Sequence, residues 1–153
     1  MTTQHPPHRR ASRILLLDDR DRFLLMLTVS SLLDVPVIRW ITPGGGVEDH
    51  ESHAEGAIRE LFEETGLLVS DVGEPVFTIS GQRTFANGQE QTTYSEYFVV
   101  RTSAFEPITD HWMENEFDDI KDVRWWSLEE LRATDEPYSP EPLIALIETA
   151  LES

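Results

Sequence analysis

Apolar residues along this chain fall in short blocks separated by polar or glycine-rich punctuation. Residues 14–17 and 23–27 are continuous apolar runs on either side of the polar stretch 18–21, which predicts strands over 13–17 and 22–29 joined as a hairpin. A further strand is predicted over 37–42, ended by Pro43 and by Gly44, Gly45 and Gly46. Three successive glycines predict a loop whose backbone can take unusual dihedrals and approach a ligand closely. Ala54, Ala57, Ile58, Leu61 and Phe62 then recur at helical spacing, one apolar stripe of an amphipathic helix, and Gly66 follows as a natural residue just past its end. Strand pieces are predicted at 76–80 and 83–85, and Asn87-Gly88 marks a hairpin turn into a strand over 91–101. A short strand at 123–126 leads into a helix opened by the capping box of Ser127 and Glu130. A last helix over 142–151 carries Leu143, Ile144, Ile147 and Leu151 on one face. Strands mixed with two or three helices predict an α/β domain with a mixed sheet covered by helices.

Length and composition narrow this picture. The 153 residues suit one domain, and 39% hydrophobic content is enough for a packed core. Residues 1–12, with Pro6, Pro7, Arg9 and Arg10, read as a flexible tail, and 13–153 as the domain. No apolar run approaches the roughly 20 residues of a membrane helix. The four apolar residues before Asp18 are too few for a signal-peptide core, so a cytoplasmic protein with no membrane partner is expected. Zero cysteines exclude disulfides and thiolate metal sites, so any metal must sit on oxygen or imidazole.

The formal charge is −17, which disfavours a nucleic-acid polymer as partner. It is unevenly spread. Residues 45–67 hold seven acids and one base, and residues 104–153 hold fourteen acids and three bases; the remainder is neutral. A local excess of carboxylates asks for a local reason. At about 100° per residue, Glu60, Glu63 and Glu64 share one turn on the side of the helix opposite Ile58, Leu61 and Phe62. Arg59, four residues from both Glu55 and Glu63, offsets part of their charge. Carboxylates this close favour a divalent cation if they are to stay ionised, and hard oxygen donors select Mg²⁺, Mn²⁺ or Ca²⁺.

These residues also carry a resemblance. Gly45, Glu51, Arg59, Glu60, Leu61, Glu63, Glu64, Gly66 and Leu67 match without a gap the Nudix box, G-x5-E-x7-R-E-U-x-E-E-x-G-U, with U a bulky aliphatic residue. The chain therefore resembles the MutT-like Nudix hydrolase family. The flanking Pro-Gly-Gly-Gly and the segment Val123-Arg-Trp-Trp-Ser-Leu-Glu-Glu-Leu extend the likeness over nearly the whole domain. The resemblance implies an α/β/α sandwich and a Mg²⁺- or Mn²⁺-dependent enzyme. Its reaction would cleave a phosphoanhydride in a nucleoside diphosphate linked to another moiety, by attack of activated water on phosphorus. It implies Glu60 and Glu64 as principal metal ligands, Glu63 as a further ligand or supporting partner, and Gly44 as a carbonyl ligand. Arg59 and Glu51 would orient the cluster, with Gly45 and Gly66 structural. The general base is a box glutamate or a later carboxylate, with Glu116 and Glu114 the candidates. His50 stands where glycine is frequent, and Gly56 stands where alanine is frequent, at a cost of roughly 1 kcal/mol of helix propensity.

Other residues admit plainer readings. Arg39 and Arg83 can neutralise substrate phosphates or form surface ion pairs. Trp112, Trp125 and Trp126 can stack a base, but strand alternation makes at least one of the last pair a core residue. His50 and His53 lack the four-residue spacing of a zinc-protease helix and are expected at the surface. The C-terminal acids beyond Glu116 are expected to be solvated charge. A small-molecule nucleotide derivative is the expected partner, and self-association as a homodimer is compatible with one domain. A sensor that binds nucleotide without cleaving it is the alternative, and an isomerase or glycosyl-group hydrolase on the same scaffold a third, since fold does not fix chemistry. Residues 81–86 carry none of the substrate-specific markers of the Nudix subfamilies, so the substrate is left open.

Overall fold

Residues 14–17 are apolar without alternation because the strand that carries them is covered on both faces. In the computed structural model, which describes residues 8–30, 37–103, 105–107 and 119–152, Ile14 and Leu16 enter one hydrophobic cluster and Leu15 and Leu17 another. The first cluster packs the sheet against α1 (His53–Thr65) through Ala57 and Leu61. The second packs it against α2 (Leu128–Ala133) and α3 (Leu143–Glu152) through Leu131, Leu143 and Ile147. Helices on both faces of one mixed sheet give the expected α/β/α sandwich. No helix among the described residues is long and apolar enough to cross a membrane.

The sheet comprises β1 (His8–Leu17), β2 (Phe23–Ser30), β3 (Val37–Ile41), β4 (Gly44–Gly46), β5 (Phe77–Thr84), β6 (Glu90–Arg101), β7 (Asp119–Trp126) and β8 (Tyr138–Ser139). Its order is β5-β6-β1-β2-β3-β8, with β4 beside β1 and β7 beside β2. β1 runs parallel to β6, and β3 to β8; the other pairs are antiparallel.

Four expectations change. Residues 8–12, read as part of a tail, belong to β1, because β6 is long enough to pair them in register from His8↔Thr92 onward. The expected hairpin of β1 and β2 exists only at its turn. The Asp18 carboxylate accepts the backbone N–H groups of Arg20 and Arg22 and the Arg22 Nε, and Leu17 pairs with Phe23. Beyond that pair β1 turns to β6 and β4, and β2 to β3 and β7. The glycine loop is instead the short strand β4, paired from Ala11↔Gly46 to Arg13↔Gly44. The two strand pieces expected within 76–85 form one strand, since Gly81 and Gln82 continue the ladder against Thr93 and Thr92. The Asn87-Gly88 turn forms as expected, with Gly88 at φ 86° and the Phe85 N–H donating to the Gln89 carbonyl.

Two capping boxes set the helix starts. Ser127 and Glu130 open α2 as expected. Ser52 opens α1: its hydroxyl accepts the Glu55 N–H at 3.1 Å, and the Glu55 carboxylate accepts the Ser52 N–H at 2.9 Å. Gly66 closes that helix at φ 81°. Ser52→Ala is expected to cost about 1 kcal/mol, seen as a lower denaturant midpoint with an unchanged slope. Trp126 is a core residue packed edge-on against Trp40, whereas Trp125 is partly buried and donates to the Phe105 carbonyl. Trp112 lies outside the described residues.

Candidate active site

The acidic side of α1 is not a solvated face. Ala57 and Leu61 are fully buried, but Phe62, expected in the apolar stripe, is exposed, and Glu64 is only 7% exposed. The helix is therefore covered on two sides, by the core and by β4. Strand β4 can lie this close because it has no side chains. A Cβ on Gly45 would stand 2.7 Å from Glu60 Oε1, and the Gly44 N–H donates to Glu64 Oε1 at 2.7 Å. The three glycines thus form a bare backbone floor under two carboxylates one helical turn apart. The Gly44 carbonyl accepts from Arg13 Nη1 at 3.3 Å.

Arg59 ties the rest of the motif together. Its Nε and Nη2 grip Glu51 at 2.7 and 2.9 Å, and Nη2 also donates to the Gly46 carbonyl at 2.9 Å. Nη1 reaches Glu60 at 3.0 Å and Glu63 at 3.3 Å. The fork of a guanidinium suits this multidentate role, which a point-charge ammonium would not fill. The Arg59 guanidinium, with the Glu48 N–H, holds the Glu51 carboxyl below its ordinary range, and Glu51 in turn keeps Arg59 firmly protonated. Glu63 is turned toward Arg59 and is a third exposed. Gly56 also has a structural reason: a Cβ there would meet Val47 Cγ2 at 3.2 Å and Glu51 Oε1 at 3.5 Å, so the glycine lets α1 seat against the loop that carries Glu51.

Burial pushes the Glu60 and Glu64 carboxyls up from their ordinary range, Glu64 strongly, and the neighbouring carboxylates push the same way. Arg13 and the Gly44 N–H relieve Glu64 in part, and Arg59 relieves Glu60. Among the described residues no three carboxylate or imidazole groups converge closely enough to form a metal site by themselves.

Arg39 and Arg83 do share a cleft. It measures about 350 Å³, and Arg9 and Arg13 line it with them. Arg9, expected in a flexible tail, reaches the cleft because it is part of β1. The signal was alternation: Arg9, Ala11 and Arg13 are every second residue of a strand and so share one face. His53, expected at the surface, is half-buried at the start of α1. It lies 3.2 Å from Ser12 Oγ and edge-on to the Tyr94 ring. Glu114 and Glu116 lie outside the described residues.

The NUDIX domain family matches residues 7–147, and the chain belongs to that family. It is similar to bovine (Bos taurus) diphosphoinositol polyphosphate phosphohydrolase 3-beta, 37% identical over 59 residues, which are 39% of this chain and 34% of that protein. It is also similar to a bovine m7GpppN-mRNA hydrolase, 38% identical over 52 residues, which are 34% of this chain and 17% of that protein. The matched stretch thus spans about a third or less of these relatives. Among solved structures, the MutT protein of Methanosarcina mazei Go1 shares the fold, with a TM-score of 0.68 at 20% identity over 98% of this chain and 97% of that one.

Proposed function

We propose that the protein is a Mg²⁺- or Mn²⁺-dependent hydrolase that cleaves a phosphoanhydride in a nucleoside diphosphate joined to another moiety, by attack of water on phosphorus. The observation that carries this reading is that the buried Glu64 and the largely buried Glu60 face the bare backbone of β4. Two carboxylates are kept where their charge is disfavoured, which is reasonable only if a cation joins them. The donors are all hard oxygen, and two carboxylates completed by phosphate oxygens and water is the usual way a protein holds Mg²⁺. The residues present therefore fit such an ion on donor chemistry, with Glu60 and Glu64 as its principal holders. When bound, it supplies the Lewis acidity that favours water attack on a phosphoryl group.

The chain's own residues supply the rest. Arg59 fixes Glu60 and Glu63 through the Glu51 clamp, so the carboxylates do not have to be gathered when substrate arrives. Gly45 leaves the space that Glu60 occupies, and the Gly44 N–H fixes the Glu64 rotamer. Arg39 and Arg83 neutralise phosphates in the neighbouring cleft. The general base is assigned to Glu116 or to a box glutamate.

The test is a panel of nucleoside triphosphates, oxidised nucleotides, dinucleotides and nucleotide sugars, assayed with Mg²⁺ and with Mn²⁺. Hydrolysis of at least one, abolished by chelator, is expected. No hydrolysis across the panel together with tight nucleotide binding by calorimetry would replace this reading with that of a nucleotide sensor.

A further inference from the structure

The chain carries −17 overall, yet one cleft inverts that balance. Arg9, Arg13, Arg39 and Arg83 line it, and among the described residues its lining includes no Asp or Glu. Four of the eleven arginines in the sequence meet there from three different strands. The register explains how. Arg9 and Arg13 sit on β1 opposite Thr93 and Tyr97 of β6, and Arg83 sits on β5 opposite Gln91 of β6. Arg39 approaches from β3, across the fork where β1 and β2 part.

Strand β4 makes room for two of these arginine side chains. A Cβ on Gly46 would meet Arg9 Nη2 at 3.4 Å, and one on Gly44 would meet Arg13 Cδ at 3.0 Å. The same bare strand therefore has Glu60 and Glu64 on one side and arginine side chains on the other. Arg13 belongs to both, since its positive charge acts on Glu60 and Glu64 and, with Arg39, on the Tyr97 hydroxyl. Aromatic surface is scarce. Among the described residues the one aromatic lining the cleft, Tyr97, is buried in the core, and Trp40 and Trp126 pack against each other. Among the described residues the cleft offers cationic forks for phosphate oxygens and no open ring on which a base could stack.

We infer that this cleft, lined by Arg9, Arg13, Arg39 and Arg83, binds at least two phosphate groups of the substrate beyond the one attacked. The group on the far side of the scissile anhydride is then itself phosphorylated. This rests on the hydrolase reading for the place of the scissile bond and on the arginine cluster for the rest. A linear polyphosphate chain and a ring bearing several phosphates present the same chemistry to the four guanidinium groups.

The test is calorimetry in chelator, with inorganic tripolyphosphate, myo-inositol hexakisphosphate, adenosine monophosphate and adenosine as probes. Tripolyphosphate or the hexakisphosphate is expected to bind at least about tenfold more tightly than the monophosphate, with no binding of adenosine. Arg9→Gln and Arg39→Gln are each expected to weaken the tighter probe about tenfold. Whichever polyanion binds more tightly identifies a chain or a ring as the source. A second measurement does not depend on the variants folding: wild-type affinity for that probe should fall at least about tenfold between roughly 50 and 200 mM salt. Equal affinity for adenosine monophosphate, unchanged affinity in folded variants, or salt-independent binding would overturn the inference. Polyanion binding without any hydrolysis in the panel defeats the hydrolase reading alone. Hydrolysis without polyanion binding defeats this inference alone.

Discussion

Glu64→Gln is expected to lower hydrolysis by roughly 10²–10³-fold, the size expected when charge stabilisation is removed from a transition state, and at the same time to make the metal-free protein more stable. Both effects follow from one carboxylate, 7% exposed, that accepts the Gly44 N–H at 2.7 Å. Burial, and then the charge of Glu60, pushes its pKa well above the ordinary carboxylate value. The folded protein thus holds this proton more tightly than the unfolded chain. Its contribution to stability is complete below the unfolded pKa of about 4.3 and is lost as pH rises through the raised folded value. Glutamine keeps an acceptor for the Gly44 N–H and carries no charge. At neutral pH and without metal, the variant should gain about 1–3 kcal/mol, or about 2–4 °C in Tm per kcal/mol for a chain of this size. The gain should vanish near pH 4. Added Mg²⁺ should raise the wild-type Tm and leave that of the variant nearly unchanged. A variant less stable than wild type at neutral pH without metal would show that the carboxylate is there for packing, and full activity would remove Glu64 from the site.

The amino-acid sequence does not display which side of α1 is wet. The order of elements was readable because each depends on local chemistry: the stripe of Ala57 and Leu61, the Ser127–Glu130 cap, the Asn87-Gly88 turn. What was hidden depends on partners far away in sequence. Residues 8–12 have no strong strand pattern of their own and are ordered by β6, 84 residues on at His8↔Thr92. The parting of β1 from β2 depends likewise on which neighbours each strand finds. Phe62 fits the helical stripe but is left at 37% exposure, while the charged Glu64 is buried. Periodicity cannot anticipate this, because it ranks faces by hydrophobicity and the second cover of α1 is a strand of glycine. The motif spacing did identify Glu51, Arg59, Glu60 and Glu64 as one unit, and the clamp of Arg59 on Glu51 and Glu60 shows why the intervals matter. Of the four arginines in the cleft, Arg39 and Arg83 were singled out by their charge alone, whereas Arg9 and Arg13 required the register of β1.

The same substitution should act mainly on stability at Gly44 and mainly on activity at Gly45, and this is the most direct check of the bare floor. Gly44→Ala is expected to cost about 4 kcal/mol. The new Cβ would stand 2.1 Å from the Ser12 carbonyl oxygen and 2.8 Å from Arg13 Cα, both backbone atoms of a central strand paired on its other side to β6. Neither can retreat without opening the β1–β4 pairing, and φ of +140° adds backbone strain for any residue with a side chain. Against a typical total of about 5–15 kcal/mol, that loss should lower Tm by roughly 8–16 °C. Gly45→Ala meets instead the carboxylate end of Glu60, with Oε1 at 2.7 Å, which can swing aside. Its Tm should change by less than a third as much, yet activity should fall about as far as in Glu64→Gln, because Glu60 has been moved off the floor. Gly73→Ala is the control for conformation alone, with φ of +69° and nothing within 4 Å of the added carbon; about 1 kcal/mol is expected. Equal Tm losses at Gly44 and Gly45 would mean that β4 is not held against β1 as described. Unchanged activity in Gly45→Ala would mean that the position of Glu60 over that glycine is not the one used in hydrolysis.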